Sequence, residues 1–246
     1  MKITERVHLV GSGRAGFNLT HPIDCHIYLL NGGDEYALID AGGGVEPERI
    51  VARIEEDGLD PSRVKHLLLT HAHADHSAGA AWLRERFDLR VAGSAETAAW
   101  VTNGDEEKIS LGAAKRAGVY PEDYVFPSCP VETVLADGDT CRVGDIELTA
   151  IATPGHSAGM LSYVFEEGVA RSAFTGDTIF AGGKILLQDI WDCSVWESCR
   201  SVERLAGLEL EGLYPGHLAF AVQRGHEHTE AAMANIRQLL PPAQMG

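Results

Sequence analysis

The run Thr70-His71-Ala72-His73-Ala74-Asp75-His76-Ser77-Ala78-Gly79 puts three of the chain's 11 histidines and one aspartate within six residues. Imidazole and carboxylate side by side suit zinc, iron or manganese. His71 and His73 are two apart, so an extended segment points both to one side. Asp75 and His76 cannot join that row without a change of direction. A strand that ends here and a helix that begins here would gather all four groups around one cavity. The flanks agree. Val64 to Leu69 reads as a buried strand, and Ser77 to Phe87 as a helix with Trp82, Leu83 and Phe87 inward.

The same grammar recurs three times. Ile146 to Ala152 alternates and β-branches like a strand, then breaks at Thr153-Pro154-Gly155-His156. Val169 to Phe174 is a second short strand, ending at Thr175-Gly176-Asp177. Leu210 to Tyr214 is a third, ending at Pro215-Gly216-His217. Each time a glycine allows a tight turn as the strand stops, and a His or Asp follows at once. One such turn is uninformative; three of them behind the His-x-His-x-Asp-His cluster form a joint signal.

These motifs resemble the metallo-β-lactamase superfamily, and the match runs from the Asp40-Ala41-Gly42 turn to His217. The resemblance implies an α/β fold, a four-layer αββα sandwich, that takes residues 1–246 as a single domain. It also implies two divalent metal ions, zinc foremost, with iron or manganese as alternatives. His71, His73 and His156 would hold the first ion. Asp75, His76 and His217 would hold the second, and Asp177 would bridge the pair. Asp40 would orient the metal loop through hydrogen bonds, the kind of support that ligand histidines need.

The chemistry expected is hydrolysis, with a metal-bound hydroxide attacking a small thioester, lactone or ester and Asp75 orienting the nucleophile. The ligand set resembles that of the glyoxalase II-type thioesterases and the lactonases. True β-lactamases of the superfamily lack the bridging aspartate. The basic cluster that glyoxalase II uses on glutathione carboxylates has little counterpart here beyond Arg224 and Arg237. A competing class is a mononuclear iron oxidoreductase resembling the persulfide dioxygenases, with His71, His156 and Asp177 as its ligands.

Charge and composition narrow the partners to a small-molecule substrate. A formal net charge of -16 repels phosphate backbones and anionic membranes. No apolar stretch reads as a leader or a membrane span, so a cytoplasmic location is expected. Five cysteines form no C-x-x-C pair and read as reduced thiols. A homo-oligomer stays open. Gly11-Ser12-Gly13-Arg14-Ala15-Gly16 matches G-x-G-x-x-G by letter, but Phe17 to Pro22 is no helix, so it reads as a glycine-rich loop and not as a dinucleotide site.

Two segments stand out from the family pattern. Residues 103–130 form an insertion, with a helix expected over Asp105 to Ala117 followed by Tyr120-Pro121 and Tyr124-Val125-Phe126-Pro127. It is expected to be a lid over the metals, with Tyr120 and Tyr124 touching substrate. The run Gly182 to Asp192 follows Asp177, and there Lys184 is the expected basic substrate contact. Other elements expected are a hairpin of Cys25 to Leu30 with Tyr36 to Ile39, and helices over Glu48 to Glu56, Ser194 to Leu205 and Thr229 to Leu240.

Overall fold

A computed structural model describes Met1–Met245. Its chain groups into two compact units, one of Met1–Leu135 with Val143–Asp145, the other of Ala136–Arg142 with everything from Ile146 onward. Each unit is built on one mixed sheet.

In the first unit the apolar runs alternate with turns and become β1 (Val7–Gly11), β2 (Ile27–Asn31), β3 (Tyr36–Ile39), β4 (Val64–Leu68), β5 (Arg90–Gly93) and β6 (Thr133–Val134). They lie side by side in chain order. The first three are antiparallel, and the last three join β3 in parallel. A parallel connection needs a crossover. Here α1 (Glu48–Glu56) links β3 to β4, and α2 (Ala74–Ser77) with α3 (Ala80–Phe87) links β4 to β5. Ile50, Val51 and Ile54 of α1 and Leu83 and Phe87 of α3 turn inward onto Leu29, Leu38 and Leu67.

The expected single helix from Ser77 to Phe87 is two pieces. The loop after β3 passes too close for an unbroken helix of ordinary residues: Gly79 N donates to Gly42 O at 2.9 Å, and a Cβ on Gly79 would lie 2.0 Å from Ala41 O. Glycine is what lets the two backbones meet. Downstream come α4 (Ala95–Asn103) and α5 (Leu111–Arg116). The helix expected over Asp105 to Ala117 forms only in its second half. Lys108 N donates to Asp105 Oδ1, closing a turn, and Ser110 sits in the left-handed region at φ 56°. The segment is not a loose elaboration, because Ile109, Leu111, Tyr120, Phe126 and Cys129 are buried members of the first unit's core.

In the second unit β7 (Thr140–Val143), β8 (Ile146–Ala152), β9 (Leu161–Glu167), β10 (Ala170–Gly176) and β11 (Gly212–Pro215) form a sheet in the order β11-β10-β9-β8-β7. β8, β9 and β10 are antiparallel neighbours, and β11 joins β10 in parallel. α6 (Val195–Ala206) and α7 (His226–Ile236) contribute Val202, Leu205 and Ala232 to a core shared with Val164, Ala173 and Leu213. α7 begins three residues before its expected start at Thr229, so His226 and His228 lie in its first turn. Sequence reading omitted β9, whose residues Leu161 to Phe165 are all buried at the centre of this sheet. Among the described residues no helix is long and apolar enough to cross a membrane.

Candidate metal-binding site

The first unit gathers His71, His73, Asp75 and His76 where β4 ends. Beyond Leu68 the chain runs extended through Thr70 to His73, then α2 opens and carries Asp75 and His76. The change from strand to helix brings the four together. The rings of His71 and His73 are 4.7 Å apart, and those of His71 and His76 are 4.1 Å apart. All three histidines are buried, while the Asp75 side chain keeps 26% of its surface exposed.

Asp40 organises this cluster. It follows β3 in the left-handed region at φ 63°, which aspartate tolerates better than most residues. Its Oδ1 accepts from Thr70 N at 2.7 Å, and its Oδ2 accepts from Thr70 Oγ1 and His76 Nδ1, each at 2.8 Å. The hydrogen-bond network then assigns the tautomers. His76 carries its proton on Nδ1, which leaves the Nε2 lone pair for a ligand. The single Thr70 hydroxyl proton goes to Asp40, so the Thr70 oxygen accepts from His71 Nδ1 at 3.0 Å, and His71 also presents Nε2. A carboxylate behind a histidine fixes ring orientation and raises ligand basicity. Cys25 completes the inner wall. Its sulfur, an Asp40 oxygen and a His76 nitrogen lie within 4.8 Å of one another.

Tyr120 and Tyr124 lie beside the same loop. Their rings are 4.8 Å apart, and Tyr124 Oη donates to Gly43 O at 2.8 Å. Burial, then the Asp75 charge, pushes both phenols well above the ordinary tyrosine range, so both stay protonated. The Tyr120 hydroxyl is buried and has no hydrogen-bond partner among the described residues.

In the second unit β8, β10 and β11 all point their carboxyl ends the same way, as the alternation of antiparallel and parallel pairing requires. His156, Asp177 and His217 therefore leave the sheet at one edge. His156 Nε2 lies 3.6 Å and His217 Nε2 3.4 Å from Asp177 Oδ2. His156 Nδ1 donates to Leu186 O at 3.1 Å, which again leaves Nε2 as the outward lone pair. Gly155 makes the turn possible. Its φ is 143°, and a Cβ there would meet Ser198 at 2.4 Å.

The donor set fits divalent metal. The nitrogen–oxygen separations of 3.4–3.6 Å, including His76 Nε2 to Asp75 Oδ2 in the first unit, are too long for hydrogen bonds. Two donors each about 2.0–2.1 Å from zinc at a tetrahedral angle stand roughly 3.3–3.4 Å apart, close to these values. Buried imidazoles and carboxylates in this ratio have borderline hardness, which suits zinc, iron or manganese.

Other candidates take lesser places. Lys184 is half-buried in a tight hairpin with Phe180, and its side chain enters no ion pair among the described residues. Burial raises all five thiols, Cys129 and Cys141 to about 11, so none is a ready thiolate nucleophile at neutral pH. Sequence reading missed the partners that hold the second unit's loop, Leu186, Asp192, Ser194 and Ser201. They lie some 30–47 residues from the groups they hold, and nothing local announces them.

The profile of the metallo-beta-lactamase superfamily matches residues 22–217. A hydroxyacylglutathione hydrolase of Chelativorans sp. (strain BNC1) is 32% identical over 195 residues, covering 79% of this chain and 58% of that protein. A hydroxyacylglutathione hydrolase of Cereibacter sphaeroides is 31% identical over 207 residues, covering 80% of this chain and 64% of its own length. The chain thus spans less than two thirds of either relative. Among solved structures, a metallo-beta-lactamase of Cronobacter sakazakii superposes with a TM-score of 0.74 at 21% identity, over 97% of this chain and 96% of that one.

Proposed function

Given that the chain belongs to the metallo-beta-lactamase superfamily and has its fold, we propose that it is a binuclear metal-dependent hydrolase of small thioesters, lactones or esters. The observation that carries this reading is the pair of ligand clusters at strand ends, with His71, His76 and His156 each held by Nδ1 so that Nε2 is presented. His71, His73 and His156 would hold one ion. Asp75, His76 and His217 would hold the other, with Asp177 shared between them. Zinc is the first choice of metal. Two such ions, when bound, lower the pKa of a shared water and polarise the acyl carbonyl.

The protein's own groups do the rest. Asp75 is the most exposed of the first unit's four ligand side chains, and its carboxylate orients the attacking water and accepts its proton. Tyr120 and Tyr124 keep their protons, so neither serves as a base; Tyr124 Oη is committed to Gly43 O and offers the substrate its ring, while the unpartnered Tyr120 hydroxyl serves the substrate carbonyl or leaving atom as a donor. Residues 103–130 wall the site as a lid, and Lys184 contacts an anionic part of the substrate. Among the substrate classes, relatives named as hydroxyacylglutathione hydrolases favour the thioester.

The test is elemental analysis of protein purified without added metal, with thioester, lactone and ester panels and oxygen uptake measured on the same sample. Two divalent ions per chain and turnover of a hydroxyacyl thioester are expected. One iron per chain with oxygen uptake on a persulfide would replace this reading with the mononuclear oxidoreductase. Because the lid is woven into the first unit's core, shortening it would unfold the protein, and a point change is the better probe. Tyr120→Phe should leave metal content and folding intact and lower kcat/KM about tenfold, the value of one neutral hydrogen bond of roughly 1–1.5 kcal/mol. Unchanged kinetics would leave Tyr120 as packing alone.

A further inference from the structure

The segment that follows Asp177 is fastened along its length to the loop that bears His156. Besides the His156 bond to Leu186 O, Ser194 N donates to Gly155 O at 2.7 Å and Ser201 Oγ to Pro154 O at 2.6 Å. Leu186 itself is fixed from the far side, where Ile185 N donates to Ala243 O and Met245 N to Ile185 O. The most concentrated contact is Asp192. Its Oδ2 accepts from Ser157 Oγ at 2.7 Å and from Ala158 N at 2.9 Å, so one carboxylate oxygen clamps the two residues immediately after His156. Its other oxygen, Oδ1, is buried with no hydrogen-bond partner among the described residues. A half-desolvated carboxylate is a cost to folding.

We propose that Asp192 is a positioning residue for the metal centre, holding the Ser157-Ala158 turn so that His156 Nε2 stays aimed at its ion. The proposal rests on the reading of His156 as a metal ligand, and its physical basis is the loss of rotational freedom. With the turn clamped on one side and Nδ1 bonded on the other, the imidazole has one orientation, and the metal need not select it from many. Loss of such outer partners typically weakens metal binding by about 10–100-fold.

Zinc is the probe. The protein is stripped of metal, and zinc affinity and stoichiometry are measured by competition with a chromogenic chelator for the wild type, Asp192→Ala, Asp192→Asn and Ser157→Ala. The unfolding temperature of each metal-free protein and the exchange rate of the His156 Nδ1 proton by NMR accompany these. Asp192→Ala should bind one of its two zinc ions about 10–100-fold more weakly. Its His156 Nδ1 proton should exchange faster. Asp192→Asn, which keeps an acceptor oxygen, should recover much of the affinity. Ser157→Ala removes one bond of the clamp without touching the Asp192 carboxylate; it should weaken the same ion by a smaller factor and keeps the proposal testable if Asp192→Ala does not fold. A lowered unfolding temperature with unchanged zinc affinity and unchanged proton exchange would make Asp192 merely structural and overturn the proposal. A wild type that binds no zinc would instead overturn the hydrolase reading.

Discussion

Asp177→Ala is expected to lower turnover about a thousandfold and to reduce bound metal from two ions per chain to one or fewer. Asp177 is buried at the end of β10, with His156 on one side and His217 on the other, both facing the same oxygen at 3.6 and 3.4 Å. No other carboxylate of the second unit stands between two imidazoles in this way among the described residues. If it bridges two ions, its loss removes a ligand from each and leaves the pair of cations without the negative charge that lets them approach. A catalytic metal contributes several kcal/mol of transition-state stabilisation. At 1.36 kcal/mol per factor of ten, losing about 4 kcal/mol is a thousandfold. The measurements are kcat on the best thioester, metal content and circular dichroism of the variant. A folded Asp177→Ala protein that keeps both ions and more than a tenth of its activity would dismantle the bridged centre.

Asp40→Ala should have the largest effect on stability, roughly 3–5 kcal/mol, the usual consequence of stripping one partner from a buried charged network. Three buried donors, Thr70 N, Thr70 Oγ1 and His76 Nδ1, would lose their acceptor together. Alanine would also have to adopt the left-handed backbone at φ 63° that aspartate tolerates there. Asp40→Asn separates the fold from the site. The amide can still accept from Thr70 N, but its NH2 then faces donors. His76 is relieved of that conflict by moving its proton to Nε2, where it no longer binds metal. Asp40→Asn should therefore stay folded with one ion lost, whereas Asp40→Ala should show its loss in urea denaturation. A cost below about 1 kcal/mol for the alanine variant, with both ions retained, would remove Asp40 from this role.

Much of this site could be read in the chain before any coordinates. The strands ending at Leu68, Ala152, Gly176 and Pro215 follow from runs of apolar residues, the last three stopped by glycine turns, and both are local properties. The boundaries of β3, β8 and α1 fall where periodicity puts them. The insertion was less legible. Its charged stretch from Asp105 to Lys108 has helix formers enough, but a side-chain turn at Asp105 and the left-handed Ser110 win locally. Its aromatics read equally well as a surface cluster, yet Tyr120 and Phe126 belong to the first unit's core.

The amino-acid sequence by itself determined which side chains could hold metal, because residue type and distance from a strand end are properties of a short segment. Only the tertiary structure decided how each is held. Asp40 reaches His76 across 36 residues, Leu186 reaches His156 across 30, and Asp192 reaches Ser157 across 35. These pairings depend on which strands are neighbours, in what register and in which direction. Such choices are set by burial of whole sheets against helices. No window of sequence contains them, so the identity of the candidate ligands is a local matter, while their protonation and aim are properties of the folded chain.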